Sequence, residues 1–216
     1  MVAIGNHGLT SRNGSMPTVH VFAAGPSLRN VLAYDWSDRT TIGVNGVGLL
    51  GIRLDAWCSC DTMPPIVAEW AGTFSGREFC SCVNKKQFPF ATECLHWGAF
   101  GPVKLAKVGE QGIYWHGSVA QMACELARTR YGADRIAVYG LDYGSPEHAY
   151  DSVDKSLKRS HDDWDMMLLE QTWNYVRQAY KQEGIRLVNA NMDSGLQALP
   201  KVSQQAAYEE KFQCFR

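Results

Sequence analysis

The sequence predicts one α/β domain in which a mainly parallel sheet is covered by helices on both faces. Short apolar runs alternate along the chain with segments that repeat apolar residues at helical spacing, and this alternation is typical of strand-helix-strand units. Each apolar run also ends in a glycine or a polar residue, as expected where the strands of such a sheet open into ligand-binding loops. The length of 216 residues fits a single domain.

Three strands are predicted in the first part of the chain. They span residues 19–24, 41–44 and 55–60, and they end at Gly25, Asn45 and Asp61 respectively. Because the carboxyl ends of parallel strands meet at one edge of a sheet, we expect these three terminal residues to share a rim with Ser27. Such a rim is the place at which an open α/β sheet binds its ligands.

The rest of the chain predicts the remaining elements. They are a helix over 118–131 with Ser118 as N-cap and Gly132 as its stop, a strand over 135–142, a helix over 163–183 ended by Gly184, a strand over 185–189 and a helix over 204–216. Residues 64–112 show no clear period, and there we predict one strand over 78–83 followed by loop. Residues 1–15 are polar and glycine-rich, so we expect a flexible lead before one domain of residues 16–216.

The composition predicts a soluble protein without a strong electrostatic preference. Lys and Arg number 21 against 22 Asp and Glu, which argues weakly against a polymeric nucleic acid as partner, although the basic cluster Lys155, Lys158 and Arg159 leaves a nucleic-acid acceptor open. No apolar run approaches the roughly 18 residues of a membrane span, and the first residues do not resemble a secretory signal. We therefore expect a cytoplasmic protein with no membrane span and with reduced thiols.

Two Cys-x-Cys pairs, Cys58 with Cys60 and Cys80 with Cys82, lie on predicted strands. If those strands are neighbours, the four sulfurs would approach one another, as the ligands of a zinc ion do. Zinc ligands usually lie on turns that wrap around the ion, whereas this spacing places both thiols on one face of a strand. Packing in the core is therefore the favoured interpretation.

Gly25, Pro26 and Ser27 form the turn after the first predicted strand. Glycine lets the backbone approach a ligand closely, proline fixes the turn, and Ser27 is expected to cap a helix that begins near Leu28. Free N–H groups at a helix N-terminus favour an anion such as phosphate. An ordinary strand-to-helix turn explains the same three residues equally well, so the rest of the chain must decide between the two interpretations.

An ordered series of motifs follows this turn. The chain gives AAGPSL at 23–28, GVNG at 43–46, HGSVAQMACELA at 116–127, RIAVYGLDYG at 135–144 and a histidine at 161, shortly before a long helix. The series resembles the Rossmann-like bacterial sialyltransferases that use CMP-sialic acid, which carry a G-N-G-P-S-L turn, a C-N strand end, an S-G-V helix start and an I-x-L-x-G-I-D strand in this order. It also resembles the MptE-like 6-hydroxymethylpterin diphosphokinases, which share the G-x-G-P-S-L and G-x-D elements. The resemblance covers residues 19–61 and 113–190 and implies a Rossmann-like fold.

The resemblance implies a set of residues that contact the nucleotide or the donor. They are Ala24, Gly25, Pro26, Ser27, Asn45, Asp61, His116, Gly117, Ser118, Asp142, Tyr143, His148 and Tyr150. Three of them depart from the sialyltransferase pattern. Ala24 and Asp61 each stand where those enzymes have asparagine, and His116 replaces a small polar residue. The loss of an asparagine at Ala24 leaves the identity of the donor open.

Two histidines are candidates for the chemistry. The resemblance implies that His161 is the general base, and a histidine titrates near neutrality and can take a proton from an acceptor hydroxyl. His148 is the rival, because G-S-P-E-H-A resembles the G-x-x-H stretch that follows G-x-D in the diphosphokinases. In that case His148 would contact phosphate instead of acting as the base.

Two reactions and one binding function follow from these residues. The favoured reaction is glycosyl transfer from a CMP-sugar or another nucleotide-activated small-molecule donor to an acceptor hydroxyl, and it requires no cofactor. The alternative is diphosphate transfer from ATP to a hydroxymethyl heterocycle, with Mg²⁺ held by Asp61 and Asp142 at adjacent strand ends. The third is a nucleotide-binding module without catalysis. The acceptor is not identified by the sequence.

Overall fold

The computed structural model describes residues 17–60, 62–81, 86–91, 93–97, 114–115, 118–143, 147–151, 153 and 163–212. Across these residues, eight strands form a sheet in which every pairing is parallel. The strands are β1 (Thr18–Phe22), β2 (Thr40–Val44), β3 (Ala56–Ser59), β4 (Arg77–Ser81), β5 (Glu93–Trp97), β6 (Tyr114–Trp115), β7 (Arg135–Tyr139) and β8 (Arg186–Asn189). The predicted α/β class is confirmed.

The sheet reverses its direction of growth between β1 and β7. The strand order is β6-β5-β4-β3-β2-β1-β7-β8, so the chain adds β2 to β6 on one side of β1 and then returns to add β7 and β8 on the other. Val21 in β1 is accordingly paired with Ile42 of β2 and with Val138 of β7. The carboxyl ends of β1 and β7 therefore flank a switch-point crevice, the position at which open α/β sheets bind ligands.

Helices cover both faces of the sheet. Two 3₁₀ helices follow β1 and β2 (Pro26–Ala33 and Asn45–Leu50), and four α-helices complete the fold: α1 (Pro65–Thr73), α2 (Val119–Tyr131), α3 (Asp163–Gln182) and α4 (Gln204–Tyr208). Helix α2 lies against β1, β2, β3 and β7. It begins at the predicted N-cap, where the Ser118 hydroxyl accepts from the Ala120 N–H at 3.2 Å, and it ends at Gly132 with φ 62°.

Alternate side chains of β1 lie on opposite faces of the sheet, and the whole strand is buried. His20 and Phe22 contact the ring of Trp36, which also packs against Tyr139 and Tyr208. This aromatic layer joins the first 3₁₀ helix and α4 to the sheet. Because both faces are covered, the strands read as continuous apolar runs, which is why they could be found in the sequence.

Three predicted elements differ from the structure. The region 64–112 contains α1 and β5 in addition to the predicted strand. Helix α1 was missed because it has nine residues, begins in a proline pair and contains a glycine near its end, which leaves too short a period to recognise. The final helix ends at Tyr208 and not at 216, since Glu210 adopts a left-handed φ of 57°. The strand predicted over 135–142 ends at Tyr139 because Gly140 turns with φ 68°.

The cysteines on β3 do not form the pairing that a four-sulfur site would need. The register pairs Ser59, and not Cys58, with Cys80 of β4. Cys58, Cys60 and Cys124 are buried, and burial raises the pKa of Cys58 and of Cys124. Among the described residues, no group of three or more His, Cys, Asp and Glu side chains could hold a metal ion.

In the described part of the chain, no helix has both the length and the apolar character needed to cross a membrane.

His20 makes the fold sensitive to acid. Its ring is fully buried, and its Nδ1 lies 3.1 Å from the Tyr139 hydroxyl. Burial, reinforced by the charges of Arg39 and Arg135, lowers the pKa of His20 from 6.5 to about 3. Below pH 6.5 the unfolded chain takes up a proton at this position and the folded chain does not. Its contribution to stability is therefore complete above pH 6.5 and is lost as the pH falls towards 3.

We expect the free energy of unfolding to decrease from pH 6.5 to pH 5 by about 2 kcal/mol more in the wild type than in His20→Gln, since one pH unit corresponds to about 1.4 kcal/mol per proton. Glutamine keeps a polar side chain beside Tyr139 but does not titrate. Urea unfolding at the two pH values measures the difference. Equal pH dependence of the two proteins would show that His20 is not the titrating group.

Candidate functional site

Gly25 lies at the switch-point crevice, where the turn after β1 approaches the turn after β7. Its N–H donates to the Gly140 carbonyl at 2.7 Å. Its φ of −66° is open to any residue, so the glycine is not required by backbone conformation. A Cβ at this position would lie only 2.5 Å from the Asp142 Oδ2 atom and 2.5 Å from the Gly140 oxygen. The close approach that Gly25 permits is therefore to another turn of the same chain.

Asp142 occupies the N-terminal end of the first 3₁₀ helix. Its Oδ2 atom accepts from the Ser27 backbone N–H at 2.7 Å, and its Oδ1 atom accepts from the Ser27 hydroxyl and from the Asn191 side-chain amide. The expected cap by the Ser27 side chain is wrong, because the helix begins after Gly25 without a side-chain cap and the hydroxyl donates to Asp142 instead. The carboxylate thus takes the position at which a helix N-terminus would bind an anion.

Two strained residues lie on either side of this turn. Among the described residues, the non-glycine residues with left-handed φ are Asn45 (48°), Tyr143 (36°) and Glu210 (57°). Asn45 and Tyr143 follow β2 and β7, which are the two neighbours of β1. Such backbone conformations cost about 1–3 kcal/mol each and concentrate at ligand sites. The strain therefore marks the same crevice that the strand order selects.

Asn45 is held in its orientation by neighbours on β3. Its carbonyl accepts from the Trp57 indole N–H at 2.7 Å, and its side-chain oxygen accepts from the Ser59 hydroxyl at 3.1 Å. Because the oxygen faces Ser59, the amide nitrogen is the end of the side chain that is directed away from it. Asn45 is therefore fixed at the rim by β3, and its contact with the nucleotide or donor, which the resemblance implies, remains a prediction.

Ser118 and Tyr143 come together on the β7 side of the crevice. The Tyr143 hydroxyl accepts from the Trp173 indole N–H at 3.1 Å and is hydrogen-bonded to the Ser118 side chain as well. Burial raises the pKa of Tyr143. Both residues belong to the set that the resemblance implies for the nucleotide or donor, and the structure places their hydroxyls in contact.

The segment 147–151 crosses the carboxyl ends of β1 and β2. The Ala149 N–H donates to the Ala24 carbonyl at 2.7 Å, and the Arg29 guanidinium donates to the Ala149 carbonyl at 2.8 Å. The Tyr150 ring is only 4% exposed and packs against Gly46, where a Cβ would lie 3.0 Å from the ring. Tyr150 therefore anchors the segment in the core, and its contact with the nucleotide or donor remains a prediction.

His148 lies on this segment beside Asp151. The His148 backbone N–H donates to the Asp151 Oδ2 atom at 2.8 Å, and its ring Nδ1 lies 3.5 Å from the Oδ1 atom of the same carboxylate. The imidazole stacks on the Tyr150 ring, with centroids 5.2 Å apart and planes 5° from parallel. The ring is thus fixed by a carboxylate at one edge and by an aromatic ring on one face.

The sequence analysis missed the loop after β8. The Asn189 side-chain amide and the Ser194 hydroxyl both donate to the Leu141 carbonyl, and the Gly195 N–H donates to the Asp142 carbonyl at 2.7 Å. Asn191 completes this contact through the Asp142 carboxylate. The signal was present in the run N-A-N-M-D-S-G, a polar and glycine-containing strand end like those after β1, β2 and β7.

Four predicted site residues lie outside the described residues: Asp61, His116, Gly117 and His161. The expectation that Asp61 and Asp142 follow adjacent strands is wrong, because β2 and β1 separate β3 from β7. The Asp142 carboxylate is moreover occupied by donors from Ser27 and Asn191. Because Asp61 lies outside the described residues, a magnesium ion held by these two carboxylates remains a prediction.

Comparison with protein-family models, with curated proteins and with solved structures finds no significant match to this chain.

Proposed function

We propose that this chain is a transferase that binds a nucleotide-activated donor at the switch-point crevice and that its reaction is glycosyl transfer. The observation that supports the proposal is that residues distant in the sequence come together at one edge of the sheet. Gly25 and Asn45 come from one part of the sequence and Asp142 and His148 from a second, distant part, and all four lie on turns that meet at the carboxyl ends of β1, β2 and β7. The resemblance selected them by order along the chain alone, so their proximity is an independent argument.

The charge of Asp142 suggests how the donor is oriented. A carboxylate accepts hydrogen bonds and repels phosphate, so the part of the donor beside the Gly25 turn should be a sugar hydroxyl or a base N–H. The phosphate is better placed beside uncharged polar groups, namely the Asn45 side chain and the Ser118–Tyr143 hydroxyl pair, which does not repel it. This differs from the expectation that the Gly25-Pro26-Ser27 turn itself receives the phosphate.

The proposed reaction uses groups of the protein and no metal ion in any step. The acceptor hydroxyl oxygen forms a bond to the anomeric carbon of the donor, while the bond from that carbon to the phosphate oxygen breaks and its electron pair stays on the phosphate. The proton of the acceptor passes to a basic side chain of the protein, and the two candidates are His148 and His161. Neutral donors around the phosphate stabilise the charge that develops on it.

Thermal-shift measurements with CMP, CDP, UDP, GDP and ATP, each with and without Mg²⁺, test the proposal. A nucleotide that binds the folded chain at about 100 times its Kd should stabilise it by about 2.7 kcal/mol. We expect stabilisation by at least one nucleoside mono- or diphosphate without Mg²⁺. Stabilisation by ATP with Mg²⁺ alone would favour diphosphate transfer, and no shift with any nucleotide would contradict both reactions.

The variant Asn45→Asp tests whether the nucleotide binds at the proposed site. Aspartate tolerates the left-handed backbone and keeps an oxygen for the Ser59 hydroxyl, but it brings a negative charge to the proposed phosphate. We expect a Kd for the stabilising nucleotide at least tenfold higher. Gln182→Glu, the same change from amide to carboxylate at an exposed position near the end of α3, is the control and should bind normally. Equal Kd values would place the nucleotide elsewhere.

A further inference from the structure

His148 and Asp151 present two buried polar atoms to each other. The His148 Nδ1 atom and the Asp151 Oδ1 atom are both inaccessible to solvent and lie 3.5 Å apart. A small rotation of either side chain would bring them to hydrogen-bond distance, and hydrogen bonds of catalytic pairs are often long before the substrate binds. A carboxylate at Nδ1 favours the tautomer in which Nδ1 carries the hydrogen. The lone pair is then on Nε2.

The pair is held rigidly at the rim. The other oxygen of Asp151 accepts from the His148 backbone N–H, so the carboxylate cannot turn away without losing a second hydrogen bond. Arg29 of the first 3₁₀ helix donates to the carbonyls of His148 and Ala149, which ties the segment to the turn after β1. Among the described contacts of His148, the Asp151 carboxylate faces the imidazole, and the Arg29 guanidinium lies at the His148 backbone carbonyl. Rigid positioning of this kind is what proton transfer requires.

We propose that His148, oriented by Asp151, is the base that takes the proton of the acceptor hydroxyl. The inference rests on the transferase proposed above and assigns to His148 the role that the resemblance implies for His161. The acceptor O–H proton moves to the Nε2 atom of His148 as the acceptor oxygen bonds to the anomeric carbon, and the nucleotide leaves with the electron pair of the broken bond. The imidazolium, paired with the Asp151 carboxylate, then releases the proton to solvent. Asp151 is a positioning residue in this scheme.

Nuclear magnetic resonance tests the pairing without any substrate. Long-range ¹H–¹⁵N spectra of protein labelled at its six histidines report which ring nitrogen carries the hydrogen, and His148→Gln identifies the signals of His148. We expect the Nδ1–H tautomer in the wild type. Asp151→Asn keeps an oxygen for the backbone N–H, and it should shift the titration of His148 to lower pH because the imidazolium loses its counter-charge. An Nε2–H tautomer, or a titration unchanged by Asp151→Asn, would overturn the pairing.

Turnover tests the role of the pair. With a sugar donor of the nucleotide that stabilises the fold, nucleotide release by the wild type, His148→Ala, Asp151→Asn and His161→Ala should be measured between pH 5 and 9. We expect His148→Ala to lose about 100-fold or more in kcat while the thermal shift with nucleotide is retained. Asp151→Asn should lower kcat less and move the acidic limb of the pH profile, and His161→Ala should retain most of its turnover.

The outcomes separate this inference from the function on which it rests. Full turnover by His148→Ala, or loss of turnover in His161→Ala alone, overturns the assignment of the base and leaves the transferase intact. Loss of nucleotide binding in His148→Ala makes His148 a binding residue and likewise overturns its role as base. If no nucleotide stabilises the wild type, the transferase itself fails, and the base assignment fails with it.

Discussion

Gly25→Ala is expected to destabilise the fold by about 3 kcal/mol, at the upper end of the usual cost of overpacking, and to abolish nucleotide binding. The added methyl would lie 2.5 Å from both the Gly140 carbonyl oxygen and the Asp142 carboxylate. Neither neighbour can withdraw easily. The Gly140 carbonyl accepts from the Gly25 N–H, and the Asp142 carboxylate is bonded to Ser27 and to Asn191. Relief of the clash must therefore separate the turns after β1 and β7, which are the two walls of the proposed site.

Gly72→Ala is the matched control. Gly72 lies within α1, and a Cβ there would meet only the Phe90 ring at the ordinary contact distance of 3.6 Å. Since alanine is a better helix former than glycine, this variant should be as stable as the wild type or up to about 1 kcal/mol more stable. Urea unfolding and nucleotide thermal shifts compare the two variants. A Gly25→Ala protein with wild-type stability and binding would show that the approach of the two turns is not required.

Elements whose signals are local could be predicted from the sequence. Strands β1, β2 and β7 are buried on both faces and appear as apolar runs, and α2 carries both its boundary signals, Ser118 before it and Gly132 after it. Each of these features depends on residues within about one helical turn of one another. The rim was also predictable in outline, because the carboxyl ends of parallel strands share an edge by geometry.

The contacts that define the site could not be predicted, because they join distant parts of the chain. Ser27 and Asp142 are 115 residues apart, and nothing near Ser27 shows that its hydroxyl will donate to a carboxylate instead of capping a helix. The strand order likewise depends on pairing between distant parts of the chain. Asp61 follows β3 in sequence, but only the folded sheet shows that two strands lie between β3 and β7. Local patterns in the sequence identified these residues, but their contacts became known only from the folded structure.

Buried charge on α2 is a further feature that the sequence pattern concealed. Its apolar spacing predicted one buried face, yet Glu125 and Arg128 are only 1% and 5% exposed. The Arg128 guanidinium donates to both carboxylate oxygens of Glu125, at 2.7 and 3.0 Å, and to Glu183 at 2.8 Å. The Tyr180 hydroxyl of α3 donates to Glu125 at 2.9 Å. The pair is thus part of the contact between α2 and α3.

Arg128→Met is expected to lower the free energy of unfolding by about 3–5 kcal/mol, because it leaves the buried Glu125 carboxylate without its cation. Arg186→Met, the same substitution at an exposed position at the start of β8, should change it by less than about 0.5 kcal/mol. Adding Glu125→Leu to Arg128→Met removes the buried negative charge and should recover most of the lost free energy of unfolding. Replacing both members of a buried ion pair by apolar side chains often has little effect on stability. Urea unfolding of the wild type and these three variants measures the differences in free energy of unfolding. If the double variant were as unstable as Arg128→Met alone, the loss would come from packing of the arginine side chain and not from the stranded carboxylate.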